Sequence, residues 1–239
     1  MKEKKIHKIC KEYGIKNYTI NGDGSIDVDG YVNLHGRGLT KLPLKFNHVS
    51  GNFLCYDNNL TTLDGSPERV GGNFYCDYNN LTTLEGSPKS VGGHFYCSYN
   101  RLTTLEGSPQ SVGGNFTCHN NQLTTLEGGP KSVGGNFNCN DNNLTTLYGG
   151  PKSVGSFQCI GNKILTFEGA PTHVGGYFNC YGNPIWNIMD LFKDYSKVEL
   201  LNDLDPIRDG DILMYRLNTF LSMIGEDEVE SVDGYNCIN

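Results

Sequence analysis

A chain of 239 residues with 31 glycines, 19% charged residues and a formal net charge of −7 suits a fold of many tight turns rather than an ordinary α/β enzyme. The acidic balance argues against nucleic acid or an anionic membrane as partner. Phosphate binding needs clustered Lys and Arg, and only the first dozen residues look basic.

No stretch approaches the roughly 20 apolar residues of a membrane helix. Met1–Lys11 is followed by no apolar run of the kind a secretion signal needs, so the expected compartment is the cytoplasm. Nine cysteines, an odd number with no C-x-x-C pair, are expected to be reduced thiols.

In chain order, Glu3–Tyr13 places Ile6, Ile9, Cys10 and Tyr13 at helical spacing, and Gly14 is a stop signal. Asn21–Gly24 separates two short alternating runs and is predicted to turn a hairpin. The same residues resemble the start of a calcium loop, but Ile26 and Val32 stand where that loop needs Gly and Glu.

From there one unit returns. Cysteines stand at 55, 76, 97, 118, 139, 159 and 180, inside the consensus V-G-G-x-F-x-C-x-x-N-x-L-T-T-L-x-G-x-P-x-x. One interval is a residue shorter, because Val154-Gly155-Ser156-Phe157 lacks one position. One period before Val49 and Cys55 stand Val28 and Leu34, which marks a degenerate first repeat and makes eight in all. A fixed period of about 20–29 residues is the signature of a leucine-rich repeat.

The predicted fold is therefore a leucine-rich-repeat solenoid, with a parallel β-sheet on its concave face and turns on its convex side. In F-x-C the apolar residues alternate, as a strand with one buried face requires. Cys fills a small buried site, and the paired glycines after Val are expected at positive φ. Asn58, Asn79, Asn100, Asn121, Asn142, Asn162 and Asn183 each follow a Cys by three and are expected to bond unpaired backbone as a ladder. Leu81 and Leu84 represent the two core leucines, and G-x-P returns the chain in turns. The apolar burial of one repeat falls short of the cost of ordering it, so only a stack with covered ends is stable.

Beyond the repeats, Pro184–Lys193 and Asp211–Ile224 read as amphipathic helices, joined through Asp203–Gly210. Ile212, Leu213, Leu217, Phe220, Leu221 and Ile224 share one face of the second, which Gly225 ends. The expected division is an α+β amino-terminal cap over residues 1–27, eight repeats over 28–183 and an α-helical carboxyl-terminal cap over 184–239.

The repeat unit, the SIDVDGYVNL stretch with GLTKLPLKF, and the DPIRDGD and GYNC segments of the tail together resemble a group of leucine-rich-repeat proteins encoded by tailed bacteriophages. The resemblance covers nearly the whole chain. It implies expression inside an infected bacterium and action against a host protein or a defence system. The repeats are also distantly similar to those of bacterial effector proteins. The catalytic ligase domain attached to some of those is missing here, so its activity is not carried over.

A metal ladder of cysteines is not expected, because one inward Cys per strand makes a line in an apolar core rather than a tetrahedral site. His94 and His119, with Asp77 near, suggest acid–base chemistry. No nucleophile is paired with a base, however, and the face is open to water, so neither catalysis nor a cofactor is expected.

The outward columns of the sheet carry the binding expectation. Around each Phe and Cys they vary between repeats and are rich in Tyr, Asn, Ser and His, the composition of antibody paratopes. The candidate partner-binding residues are Tyr56, Asp57, Tyr75, Asp77, Tyr78, His94, Tyr96, Tyr99, Thr117 and His119. Two function classes follow. One is a scaffold for a protein partner, and the other captures a metabolite or nucleotide signal between the sheet and a cap.

Overall fold

Each repeat lays down two short strands. Ser90–Val91, Ser111–Val112 and Ser132–Val133 pair parallel and in register in one sheet. Phe74–Tyr75, Phe95–Tyr96 and Phe116–Thr117 pair likewise in a second. The first sheet has seven strands and the second eight, the latter running from Val32–Asn33 to Phe178–Asn179. This computed structural model describes residues 3–192, 194–208 and 210–238. Its long parallel sheets of regularly spaced strands are compatible with a repeat solenoid.

The expectation of one sheet is corrected to two. Val and Phe of each unit stand on opposite sides of the Gly-Gly corner, and both point into one core. Val91 and Val112 are 2% exposed, and Phe95 and Phe116 are fully buried. A two-residue Ser-Val strand is too short for alternation to announce it.

The glycines of that corner also depart from expectation. Positive φ occurs instead after the second leucine, at Gly65, Gly86, Gly107, Gly128 and Gly149. What the V-G-G pair supplies is room. A Cβ on Gly92 would collide with the Gly71 carbonyl oxygen, and one on Gly93 with Asn73 Oδ1. Stacked backbones approach so closely here that no side chain fits between them.

Inside, identical positions stack. The rings of Phe53, Phe74, Phe95, Phe116, Phe137, Phe157 and Phe178 follow one another at 5.2 to 5.5 Å, nearly parallel. The spacing is slightly wider than the roughly 4.8 Å between strands, so the rings are offset. Phe46 meets Phe53 edge-on at 5.0 Å at one end of the column, and Tyr195 stacks on Phe178 at 4.3 Å at the other.

The asparagine column is the expected ladder. Asn79 Nδ2 donates to the carbonyls of Cys55, Cys76 and Asp77 at 3.0, 3.1 and 3.1 Å, and its Oδ1 accepts from the Leu60 amide at 2.9 Å. Asn58, Asn100, Asn121, Asn142 and Asn162 repeat the pattern. Each rung ties its own repeat to the one before.

The shortened repeat leaves a mark. The first sheet ends at Ser132–Val133, and Ser153–Val154 pairs only with His173–Val174. The Phe sheet passes the same point without a break, with Phe137 opposite Phe157.

At the amino end, α1 (Glu3–Glu12) buries Ile6 and Cys10. Tyr18–Ile20 and Ile26–Val28 form the expected hairpin. Asp23 closes its turn, with Oδ1 accepting from the Ser25 amide at 2.9 Å and Lys45 paired to its other oxygen at 2.7 Å. Val28 lies opposite Val49 and Val32 opposite Phe53, so the degenerate first repeat takes its place in both sheets.

At the carboxyl end stand α2 (Trp186–Phe192), α3 (Val198–Leu204), α4 (Met214–Ile224) and a three-stranded sheet of Ile207–Arg208, Asp211–Leu213 and Asn236–Ile238. The expectation of helices alone is corrected here. Asp211–Leu213 is a strand held between two neighbours, and the helix starts only at Met214. Helix and strand alike bury Ile212, so apolar spacing does not separate them. Lys193, the last residue of the first expected helix, lies outside the described residues. Among the described residues no helix is long and apolar enough to cross a membrane.

Replacing Asn100 by Ala strips the Leu81 amide of its partner and takes one of two donors from each of the Cys76, Cys97 and Ser98 carbonyls. Chemical denaturation is expected to show a loss of about 1–3 kcal/mol. Unchanged stability would mean that water serves these groups equally well.

Candidate functional site

Alternation along the Phe strands sends every second side chain out of the core. Phe74 and Phe95 are buried, whereas Tyr75 and Tyr96 are half-buried on the opposite side. In-register neighbours then stack outside as they do inside. Tyr75 lies on Tyr96 with centroids 4.8 Å apart and 12° between planes, and Tyr78 lies on Tyr99 at 4.4 Å and 7°. Tyr56 meets Tyr75 edge-on at 6.2 Å, and His119 meets Tyr99 edge-on at 5.1 Å. His35, which the sequence reading omits, stacks on Tyr56 at 4.8 Å. It stands one period before Tyr56, so the degenerate first repeat was the signal for it.

The backbone under the second stack is strained. Tyr78 and Tyr99 sit at φ 52° and 53°, and they remain 54% and 42% exposed. At the same repeat position stand Asp57, Asn120, Asp141, Gly161 and Gly182, types that tolerate the left-handed region. A large ring there costs about 1–3 kcal/mol, and none of that cost returns as core packing.

Asp77 lies beside both stacks, close enough to act electrostatically on Tyr96 and Tyr78. Its Oδ1 accepts from the Ser98 amide at 2.9 Å. Burial pushes its carboxyl up to about 6, against the pull of that amide. Among the described residues it forms no ion pair. Three repeats on, Asn140 does the same backbone work without a charge, accepting from the Ile160 amide at 2.8 Å.

The remaining candidates divide. His94 belongs to a second ladder, in which each residue before Phe accepts from the amide of its successor. Asn52 accepts from Asn73, Asn73 from His94, His94 Nδ1 from Asn115, and Asn115 from Asn136, at 2.8 to 2.9 Å. His94 thus carries no proton on Nδ1 and has a structural duty besides its place on the face. Thr117 Oγ1 is 3.5 Å from Ser98 Oγ, beside the end of the Tyr75–Tyr96 stack. Asp57 is exposed, at φ 54°.

The cysteines of the repeats face inward. Each from Cys55 to Cys180 is fully buried, and burial raises the thiol pKa in every case. The sulfur has a directional use too: Cys76 Sγ donates to the Tyr96 carbonyl at 3.2 Å, and Cys97 Sγ to Thr117 at 3.3 Å. Among the described residues no three His, Cys, Asp or Glu side chains gather as a metal site would need.

A crevice of about 560 Å³ opens between the last repeat and the carboxyl-terminal segment, lined in part by His173, Tyr177, Asp194, Ser196 and Glu199. No Lys or Arg is among its described lining. Residues 184–239 hold twelve acidic and four basic side chains, so this crevice sits in the most negative part of the chain and repels phosphate. Against protein-family models, curated proteins and solved structures alike, the chain finds no match.

Two outcomes follow from these environments. Under native conditions a thiol reagent is expected to label half-buried Cys237 first, and the eight buried cysteines only on unfolding. Fast labelling of several thiols in the native protein would contradict this packing.

Asp77→Asn keeps an acceptor for the Ser98 amide and removes a charge that burial disfavours. Because the folded pKa is raised, the cost of the ionised form is full above about 6 and absent below the usual carboxylate range near 4. The variant is expected to be about 1–3 kcal/mol more stable than the parent at pH 7, with the gain shrinking as pH falls from 6 toward 4. Thermal melts across that range check it, and a less stable variant at pH 7 would show that the fold needs the charge.

Proposed function

We propose that this chain is a leucine-rich-repeat solenoid of eight repeats over residues 28–183, closed by caps over 1–27 and 184–239, and that it is a non-enzymatic scaffold for a protein partner. Three features support the caps. Ile6 and Cys10 of α1 join the core of the repeats, Tyr195 ends the Phe column, and Tyr235 donates to the Leu165 carbonyl at 2.8 Å, tying the tail to the repeats. The binding surface is the outward, concave side of the Phe sheet, centred on Tyr56, Tyr75, Asp77, Tyr78, Tyr96, Tyr99 and His119, with Asp57, His94 and Thr117 at its margins.

The observation that carries this reading is the Tyr78–Tyr99 pair. Two exposed rings are held on left-handed backbone where the other repeats place Asp, Asn or Gly. Their backbone strain brings no core packing, and they enlarge a rigid aromatic platform of the kind that dominates binding energy at protein interfaces. Through the resemblance to phage-encoded repeat proteins, the partner is a bacterial host protein in the cytoplasm of an infected cell, such as a defence factor that the scaffold inhibits. The reading as a metabolite or nucleotide trap has a crevice to draw on, but its acidic lining disfavours phosphate.

The test is capture of the partner from bacterial lysate and its titration against variants. The double change Tyr75→Ala and Tyr96→Ala is expected to cost several kcal/mol of affinity, because truncating central aromatic anchors costs about 2 kcal/mol or more each. Asn138→Ala with Gln158→Ala, on the same face two repeats further on, is expected to cost little. Equal losses from the two pairs would move the site to the caps or the convex turns.

A further inference from the structure

Asp77 is the one carboxylate among the residues at the centre of this face, and the fold does not ask for its charge. At its repeat position only Asp77 and Asn140 accept the amide of the following repeat, and the neutral Asn140 does so at 2.8 Å without a charge. Asp77 carries a full negative charge to the same task, partly removed from water, with no ion pair among the described residues and one hydrogen bond to a single oxygen. A carboxylate so placed is a poor structural choice unless something else pairs with it.

Its surroundings narrow down what that is. The Tyr75–Tyr96 column stops at Tyr96, since the next strand offers Thr117 in place of a ring, and the residue after Cys97 is the small Ser98. Beside Asp77 there is thus an aromatic ring that no further ring follows, the half-buried hydroxyl of Thr117 with Ser98 buried beside it, and His119 near enough to act electrostatically. Neither nearby imidazole pairs with it directly, although His119 acts on it electrostatically. His94 uses Nδ1 as an acceptor, and His119 is turned to Asn120 Oδ1 at 3.1 Å and makes no ion pair with Asp77. A planar cation fits this setting: it lies against a ring face, donates in its plane to a carboxylate and presents a further donor to a hydroxyl.

We infer that this face receives the guanidinium of an arginine side chain on the protein partner, stacked against Tyr96 and paired with Asp77. The inference rests on the proposed binding role of the face and adds the chemistry of its central contact. It also accounts for a destabilising charge on a face whose other central residues are uncharged or imidazole. Arginine suits the site better than lysine, whose compact ammonium has neither the plane for stacking nor the fork for a carboxylate.

The test uses the full chain, labelled for NMR, and two short probes at pH 7: acetyl-Ala-Arg-Ala-amide and its citrulline counterpart, which keeps shape and hydrogen bonding but loses the charge. The arginine probe is expected to shift the amides of Asp77, Tyr96 and Ser98 and to bind at least about tenfold more tightly than the citrulline probe, as a charge-assisted hydrogen bond implies. Asp77→Asn is expected to abolish that preference while the fold is kept or stabilised. Equal responses to the two probes, shifts centred elsewhere, or no response to the arginine probe at its solubility limit would each overturn the inference. Partner capture keeps the wider reading separate. If Asp77→Asn captures the partner like the parent while the Tyr75/Tyr96 double variant fails, the arginine contact is wrong and the face remains the site. If both variants capture normally, both readings fall.

Discussion

The whole structure depends on one constraint: the polar backbone of a repeat finds its partners in the repeats on either side. The asparagine rungs show it most directly. Asn79 reaches its own Cys76 carbonyl and the Cys55 carbonyl of the repeat before it, and Asn100 joins Cys76 to Cys97 in the same way. An amide offering two donors and an acceptor can bridge three main-chain segments at a buried turn, where leaving any of them unpaired costs about 1–3 kcal/mol. Such a rung admits only one register. Once register is set, equal positions must stack, and the Phe column inside and the Tyr columns outside are two results of a single cause.

Close stacking also explains which positions cannot vary. The V-G-G corner packs backbone on backbone, so a Cβ on Gly71 or Gly92 strikes the preceding repeat. The thiol of the F-x-C motif both fills space and donates to the next repeat's carbonyl. What remains free is the outer side of the Phe sheet, and even there two columns have duties: the residue before Phe accepts an amide, and the second residue after Cys must bear a left-handed backbone.

Those duties give a measure for reading function from a repeat. A residue that meets its position's demand at no cost needs no further explanation, as with Asn115 or Gly161. A residue that meets it at a cost points to a demand from outside the fold. Tyr78 and Tyr99 spend backbone strain to place rings in water, and Asp77 spends desolvation on a charge an amide could replace. Three costly choices in adjoining repeats, on one face, support the proposed site more sharply than residue variability does.

The sequence by itself determined the period, the inward Phe, Cys and Leu positions, the asparagine ladder, the degenerate first repeat and the hairpin, because each is a local pattern repeated often enough to be read. It also placed Tyr56, Tyr75 and Tyr96 outside by simple alternation. Only the tertiary structure decided that Ser-Val forms a second sheet, that the paired glycines answer to crowding rather than to φ, and that Asp211–Leu213 is a strand. It alone revealed His94 as a rung, the strain under Tyr78 and Tyr99, and the isolation of Asp77. The reason is physical: crowding, strain and desolvation are set by the atoms of the neighbouring repeat, which lie about twenty residues away in the chain and a few ångströms away in space.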